Sequence, residues 1–307
     1  MKIVGVDIGG TNIKSALVVN GRVKGLKVIP TYSNRGPEGS IAQIIKAIEP
    51  LIKEGEGIGI GIAGLIDSKL GVVRTSPNLK GWNGIPLVKI LTRKFRMPVK
   101  IINDVDAICL GEWYYGVARG YKNVFLFTIG TGVGGAAICE GKLVLGANGY
   151  AGELGHTIIN FNGPKCACGN YGCLERYVGA RYIVRYARRL IKKRASRLSR
   201  YKELSPAIIA QEAKRGDTVA KQVFARVGFY LGIGITNIIA LFDPDLIVIS
   251  GGISRAGRVL FTPIRKTVQQ RLLGEKFRHY KIVASSLGDE AGILGASLLF
   301  NKKVCPA

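Results

Sequence analysis

Apolar positions alternate with polar or glycine positions through KIVGVDIG at the start of the chain and again through KSALVVN, which predicts two strands joined by a glycine-rich turn. VKGLKVIPTY continues the meander, and IAQIIKAIEPLIKE places its apolar residues at helical spacing. GIGIGIAG then reads as a strand of small residues, and PVKIINDV as a strand that ends in polar ones, Asn103 and Asp104. Side chains at the end of a buried strand project toward a ligand crevice. The second half starts over: NVFLFTIGTGVGGAAICEGKLVLG is two strands about a glycine turn, an echo of the N-terminus. A long helix at 217–241, the strand DLIVISGG, a helix near 257–273, the strand KIVASS and a closing helix from about 290 follow in the α/β manner. The repeat predicts two lobes with related cores.

Composition supports this picture and adds one surprise. A chain of 307 residues with 47% apolar content can bury a large core. No apolar stretch approaches 18 residues free of charge or glycine, and KIVGVDIGGTN lacks the features of a signal peptide, so a cytoplasmic protein without membrane association is expected. The surprise is charge: 45 Lys and Arg against 20 Asp and Glu give a net +25. Residues 176–202 carry eleven basic side chains and no acidic one. Ala180, Ile183, Ala187, Leu190, Ile191 and Leu198 recur there at helical spacing, which favours a helix with a buried face and a solvated basic face over a nucleic-acid surface.

The densest chemistry lies in ELGHTIINFNGPKCACGNYGCLE, residues 153–175. His156, Cys166, Cys168 and Cys173 are the donor set of a closed tetrahedral zinc site, and the short cysteine spacings let one loop wrap an ion. A disulfide pair or buried free thiols are the alternatives, although cysteines one residue apart rarely bridge each other. Glu153 and Glu175 flank the donors and are free to accept hydrogen bonds from a polyol, while an imidazole held by a metal through one nitrogen aims the other. Cys109, Cys139 and Cys305 read as small buried hydrophobes.

Two glycine turns offer backbone N–H groups to an anion: Asp7-Ile8-Gly9-Gly10-Thr11-Asn12, where glycine permits positive φ, and Gly130-Thr131-Gly132-Val133-Gly134-Gly135. Neither is a P-loop or a dinucleotide fingerprint, because Thr11 stands where lysine is required and a strand follows each turn instead of a helix. With Gly251-Gly252 after a buried strand, the turns together describe a nucleotide held between two lobes.

DIGGTN, the Asn103-Asp104 pair, IGTGVGG, ELGH, CACGNYGCLE and ISGG, in this order and spacing, resemble the ROK family of sugar kinases and related repressors, over essentially the whole chain. The resemblance implies an actin-like, or ribonuclease-H-like, ATPase fold of two α/β lobes with a cleft where sugar and ATP meet. It implies a small lobe of residues 1–108 plus about 290–307 and a large lobe of 109–289. Matched residue by residue, Asp104 is the catalytic base, and Gly64, Asn78, Asn103, Glu153, His156 and Glu175 hold the sugar. Asn78 lies in PNLKGW, similar to the PNL-x-GW of glucokinase members. His156, Cys166, Cys168 and Cys173 match structural zinc ligands. Asp7, Gly9, Gly10, Thr11 and Asn12 match the first phosphate loop, Thr131, Gly132, Gly134 and Gly135 the second, and Gly251 with Gly252 the adenosine side. The implied activity is Mg-dependent phosphorylation of a hexose by ATP, glucose first, in a homo-oligomer (dimer or tetramer) without nucleic acid. A kinase of N-acetylmannosamine or N-acetylglucosamine, and a sugar-responsive transcriptional regulator, are the alternatives. The regulator would carry a DNA-binding domain ahead of the strand on which this sequence opens. One departure is visible: many members read GGTK, where this chain has Asn12 and a lysine two residues on, Lys14, on the same strand face.

Overall fold

The computed structural model describes residues 1–302 and 304, so Cys305 lies outside the described residues. The chain divides into two compact units, one formed by residues 1–120, 137–151 and the stretch from Ser286 on, the other by 121–136 and 152–285.

The first unit is built on β1 (Lys2–Ile8), β2 (Asn12–Val19), β3 (Arg22–Pro30), helix α1 (Gly36–Ile48) and β4 (Gly57–Ile62). Three short strands follow, β5 (Leu65–Asp67), β6 (Val72–Thr75) and β7 (Asn83–Ile85), which form a separate antiparallel sheet. Helix α2 (Leu87–Phe95) leads to β8 (Val99–Asn103) and helix α3 (Asp104–Tyr114). The main sheet has the order β3-β2-β1-β4-β8, with β4 parallel to β1 and to β8. The three-stranded sheet and α2 have no counterpart in the periodicity reading, since three- and four-residue strands are too short to show alternation.

In the other half come β9 (Val124–Ile129), β10 (Val133–Cys139), β11 (Lys142–Leu143), α4 (Glu175–Val178), α5 (Ala180–Ile191), α6 (Pro206–Lys214), α7 (Thr218–Phe242), β12 (Leu246–Ser250), α8 (Arg258–Arg271) and β13 (Lys281–Ala284). Their sheet has the order β11-β10-β9-β12-β13. Position for position this is the first sheet again, with β12 parallel to β9 and to β13. The echo of glycine hairpins in the sequence is therefore an echo of topology.

Helix α9 (Ala291–Ser297) closes the first unit, and it explains the strand of small residues. A Cβ at Gly5 or Gly59 would strike the backbone of Ile293 or Ala296, and one at Gly61 would lie 2.9 Å from Ala107 Cβ and 3.4 Å from Asp104 Cα. Alternate glycines thus share one sheet face, against which α9 and the first turn of α3 are seated. That seat fixes the height of Asp104 above the strands.

By length and composition α7 is long and apolar enough to cross a membrane, with a hydropathy of 1.6 over its best window, yet 61% of that window is buried within the protein. Lys221, Arg226, Gly228, Gly232 and Gly234 interrupt the helix, so it is not an 18-residue stretch free of charge or glycine. Gly228 and Gly232 bring α7 against Pro263 and Thr267 of α8, the packing of a core helix.

The basic stretch is not one helix. It is divided among α4, α5, a turn, and a 3-10 segment at Arg197–Arg200 that carries Leu198, so Leu198 belongs to a different element from Ile183 and Ala187. Arg188, Arg189, Lys192 and Lys193 are all exposed. For the ATP-dependent kinase that the resemblance implies, changing these four to Glu is expected to leave kcat unchanged and to give at most a salt-sensitive fall in kcat/KM for ATP. A loss of kcat that persists at high salt with the circular dichroism spectrum intact would contradict that placement.

Cys109 is fully buried, and burial pushes its thiol well above the usual range, as expected of an inert packing residue. Cys139, at the end of β10, is only half-buried, which departs from its reading as a core residue.

Candidate active site and metal cluster

The first glycine turn is held from behind. Gly9 N–H donates to Asn12 O at 3.0 Å, Thr31 N–H donates to Thr11 O at 2.9 Å, and the Thr31 hydroxyl donates to Gly9 O at 2.7 Å. Thr31 is fully buried and went unread in the sequence, because only the register of β3 against β2 brings it there. Neither Gly9 nor Gly10 has positive φ, so conformational freedom is not why they are glycine. At Gly10 the reason is close approach: a Cβ there would lie 3.0 Å from both Cβ and O of Asn78. Thr11 and Asn12 stand exposed at the tip.

Asn78 is presented by a clamped loop. Leu79 and Trp82 are buried on either side of the turn in PNLKGW, Trp82 N–H donates to Leu79 O, and Ser76 N–H donates to Trp82 O at 3.2 Å. The exposed Asn78 is left at the surface beside the glycine turn.

Lys14 faces Asp7 directly across the β1–β2 ladder. Its Nζ lies 2.8 Å from Asp289 Oδ1 and 3.9 Å from Asp7 Oδ2. Burial raises the pKa of Asp7, Lys14 opposes that rise, and Asp289 adds to it. Lys14 is thus the counter-ion of two carboxylates, which answers the question its shifted position raised: its charge is committed to Asp7 and Asp289.

Asp104 is the first residue of α3, and Asn103 is its N-cap. Asn103 Oδ1 accepts from Val105 N–H at 2.8 Å and Asp106 N–H at 3.3 Å, while its Nδ2 donates to Gly64 O at 3.0 Å. One amide proton of Asn103 remains for a ligand. The cap is thus supplied by Asn103, and Asp104 Oδ1 accepts from the adjacent Val105 N–H at 3.0 Å. Gly64 has φ 133°, and a Cβ there would strike Thr75 O, so no other residue fits the Asn103 contact.

In the second unit, Gly130 N–H donates to Gly132 O at 3.0 Å, closing the other turn. Gly135 lies against Leu154, and Gly251, with φ 84°, lies against Ile129 at the end of β9, while Gly252 faces open space. Glu175, at the start of α4, reaches back to the turn: its Oε2 accepts from Val133 N–H at 3.0 Å, and a Cβ at Gly132 would lie 2.6 Å from the same oxygen. Glu175 therefore joins the cysteine loop to the glycine turn, a role its place beside the cysteines did not suggest. Glu153 occupies the N-cap position of the 3-10 turn Leu154–His156 without a side-chain cap bond, and it is exposed.

The cysteine loop is a hairpin stitched by its own backbone. Ile158 bridges Cys173, Lys165 bridges Tyr171, and Cys166 N–H donates to Asn170 O at 2.6 Å. Donor atoms of His156, Cys166, Cys168 and Cys173 all fall within 4.8 Å of one another. Cys168 Sγ is 3.6 Å from Cys173 Sγ, and Cys166 Sγ is 3.8 Å from His156 Nδ1. Metal–sulfur bonds of about 2.3 Å in a tetrahedron set sulfur atoms roughly 3.8 Å apart, so the quartet has the size and chemistry of a tetrahedral metal site. Burial, together with the neighbouring thiols, pushes Cys173 up to about 12, because thiolates this close repel without a cation among them. Since Nδ1 faces the sulfurs, Nε2 is the nitrogen of His156 left to meet another group.

Two α/β units on sheets of the same order, each presenting a glycine turn after its first strand, define a protein of the actin-like ATPase class. The profile of the ROK family matches residues 3–303. The chain belongs to the ROK family. It is 36% identical to a glucokinase of Thermotoga maritima, with 99% of this chain and 98% of that protein aligned. It is 32% identical to a xylose repressor of Caldicellulosiruptor bescii over 95% of this chain and 76% of the repressor. Among solved structures, a ROK family glucokinase from Streptomyces griseus in complex with glucose and AMPPNP superimposes with a TM-score of 0.85 at 32% identity, covering 98% of this chain and all of that one.

Proposed function

We propose that this chain is an ATP-dependent hexose kinase that transfers the γ-phosphoryl group to the 6-hydroxyl of a hexose, with glucose as the first substrate. The observation that carries the reading is the packing of Gly10 against Asn78, which makes the phosphate turn and the sugar-holding loop neighbours within one unit. The glucokinase relative and the glucose- and AMPPNP-bound structural neighbour support it.

In this reading Asp104 accepts the proton of the hexose hydroxyl as it attacks phosphorus, held at its height by the Asn103 cap and the Gly61 seat. Asn78, the free amide proton of Asn103, Gly64, Glu153, His156 Nε2 and Glu175 orient the sugar. Backbone N–H groups around Gly9–Asn12 and Thr131–Gly135 receive phosphate oxygens, and the adenosine side lies at Gly251-Gly252, where Gly252 faces open space. Magnesium brought with ATP supplies charge neutralisation at the β- and γ-phosphates, and Asp7 is the carboxylate beside the first turn suited to face it. Zinc fits the His156, Cys166, Cys168 and Cys173 quartet, and there it would fix the loop that carries His156 and Glu175.

Glu153→Gln is expected to raise the KM for sugar with little change for ATP. Glu175→Ala is expected to raise both, because it strips Val133 N–H of its acceptor in the phosphate turn. An unchanged KM for ATP in Glu175→Ala would detach that carboxylate from the nucleotide.

The test of the activity is ADP production with ATP and magnesium across glucose, mannose, fructose, N-acetylmannosamine and N-acetylglucosamine. Turnover highest on glucose supports the proposal, and turnover highest on an N-acetylated sugar moves it to that class. The repressor relative keeps a second reading in view, a sugar-responsive regulator. Salt-sensitive DNA binding released by sugar, without ADP production, would establish that one.

A further inference from the structure

One side of the cysteine loop opens into a cavity of about 430 Å³ lined by Lys165, Cys166, Arg176, Arg181, Tyr182 and Arg185. Four of these side chains are cationic, and among the described residues none of the four has a carboxylate within salt-bridge reach. Two of the guanidiniums are stacked on one ring: Arg176 Cζ lies 4.1 Å and Arg181 Cζ 4.5 Å from the centroid of Tyr182. Tyr182 is only 8% exposed, and its hydroxyl, like Nε of Arg176, is buried with no hydrogen-bond partner. Buried donors without acceptors are costly, and cations gathered without a counter-charge repel. The mutual repulsion of the four cations is relieved when an oxyanion with several acceptors binds among them.

We propose that this cavity is a binding site for a compact oligophosphate anion, separate from the glycine turns. Guanidiniums preset by stacking match phosphate oxygens in a bidentate way, and four cations suit a ligand carrying three or more negative charges. The guanidiniums stacked on Tyr182 at the cavity wall favour a small ligand there over a nucleic acid laid along the exposed face of α5, which a phosphate backbone would meet through solvated side chains alone. Because Arg176 follows Glu175 directly and Cys166 forms part of the wall, a bound anion would brace the cysteine loop.

The test is isothermal titration of the metal-loaded protein with tripolyphosphate, orthophosphate and glucose 6-phosphate, without nucleotide, whose own triphosphate would compete. It needs no catalysis, so a failed kinase assay leaves it standing. One tripolyphosphate per chain, binding more weakly as salt rises, is expected. Arg181→Glu combined with Arg185→Glu should weaken it by about tenfold or more, and Tyr182→Leu should weaken it by removing the ring on which two guanidiniums are stacked, both with metal content unchanged. Tighter binding of glucose 6-phosphate than of tripolyphosphate would support the site and assign it to phosphorylated sugars. Absence of saturable binding, wild-type affinity in the double variant, or duplex DNA bound through the same residues and not displaced by tripolyphosphate would overturn the proposal.

Discussion

Asp104→Ala is expected to lower kcat for hexose phosphorylation by about 10²-fold or more while leaving fold, metal content and sugar binding near wild type. The expectation follows from where the carboxylate sits. Asp104 opens α3 while Asn103 performs the capping, so deleting the Asp104 carboxylate leaves the cap bonds to Val105 and Asp106 in place. Gly61 and Ala107 hold the helix turn at its height without help from that side chain. A base needed chiefly in the transition state affects kcat far more than binding. Kinetics with the variant and isothermal titration with glucose would separate the two, and retention of more than a tenth of wild-type turnover would remove Asp104 from the role.

Cys168→Ser should release the metal, lower the unfolding temperature by several degrees and weaken sugar binding together. The three effects are linked because the four donors come from the same hairpin that carries His156 and, two residues after Cys173, Glu175. Without an ion, crowded thiols keep Cys173 protonated and the loop loses its centre. Metal analysis of the wild type should find about one zinc per chain, as for one four-donor site. Wild-type protein that phosphorylates sugar normally without zinc would contradict the assignment of the quartet.

Much of this was legible in the sequence, and what was not has a common cause. The glycine hairpins, the repeat of one half in the other and the Cys and His quartet are local patterns, and they were read with their chemistry. Contacts that depend on register or long-range packing were not. Thr31 reaches Gly9 only because β3 folds back on β2. Lys14 meets Asp289 from 275 positions away, and Glu175 meets Val133 from 42. Asp104 was rightly placed beside a strand end, but the cap belongs to Asn103, a distinction set by one turn of backbone. The strand GIGIGIAG was visible as small residues, and only the structure shows α9 and α3 seated on them.

The central claim is that a phosphoryl group moves from ATP to the sugar. Phosphorus NMR of the protein with ATP, magnesium and glucose tests it directly. A phosphomonoester resonance of glucose 6-phosphate growing in step with ADP is the predicted result. ATP left intact, or ADP appearing with inorganic phosphate and no sugar ester, would contradict it.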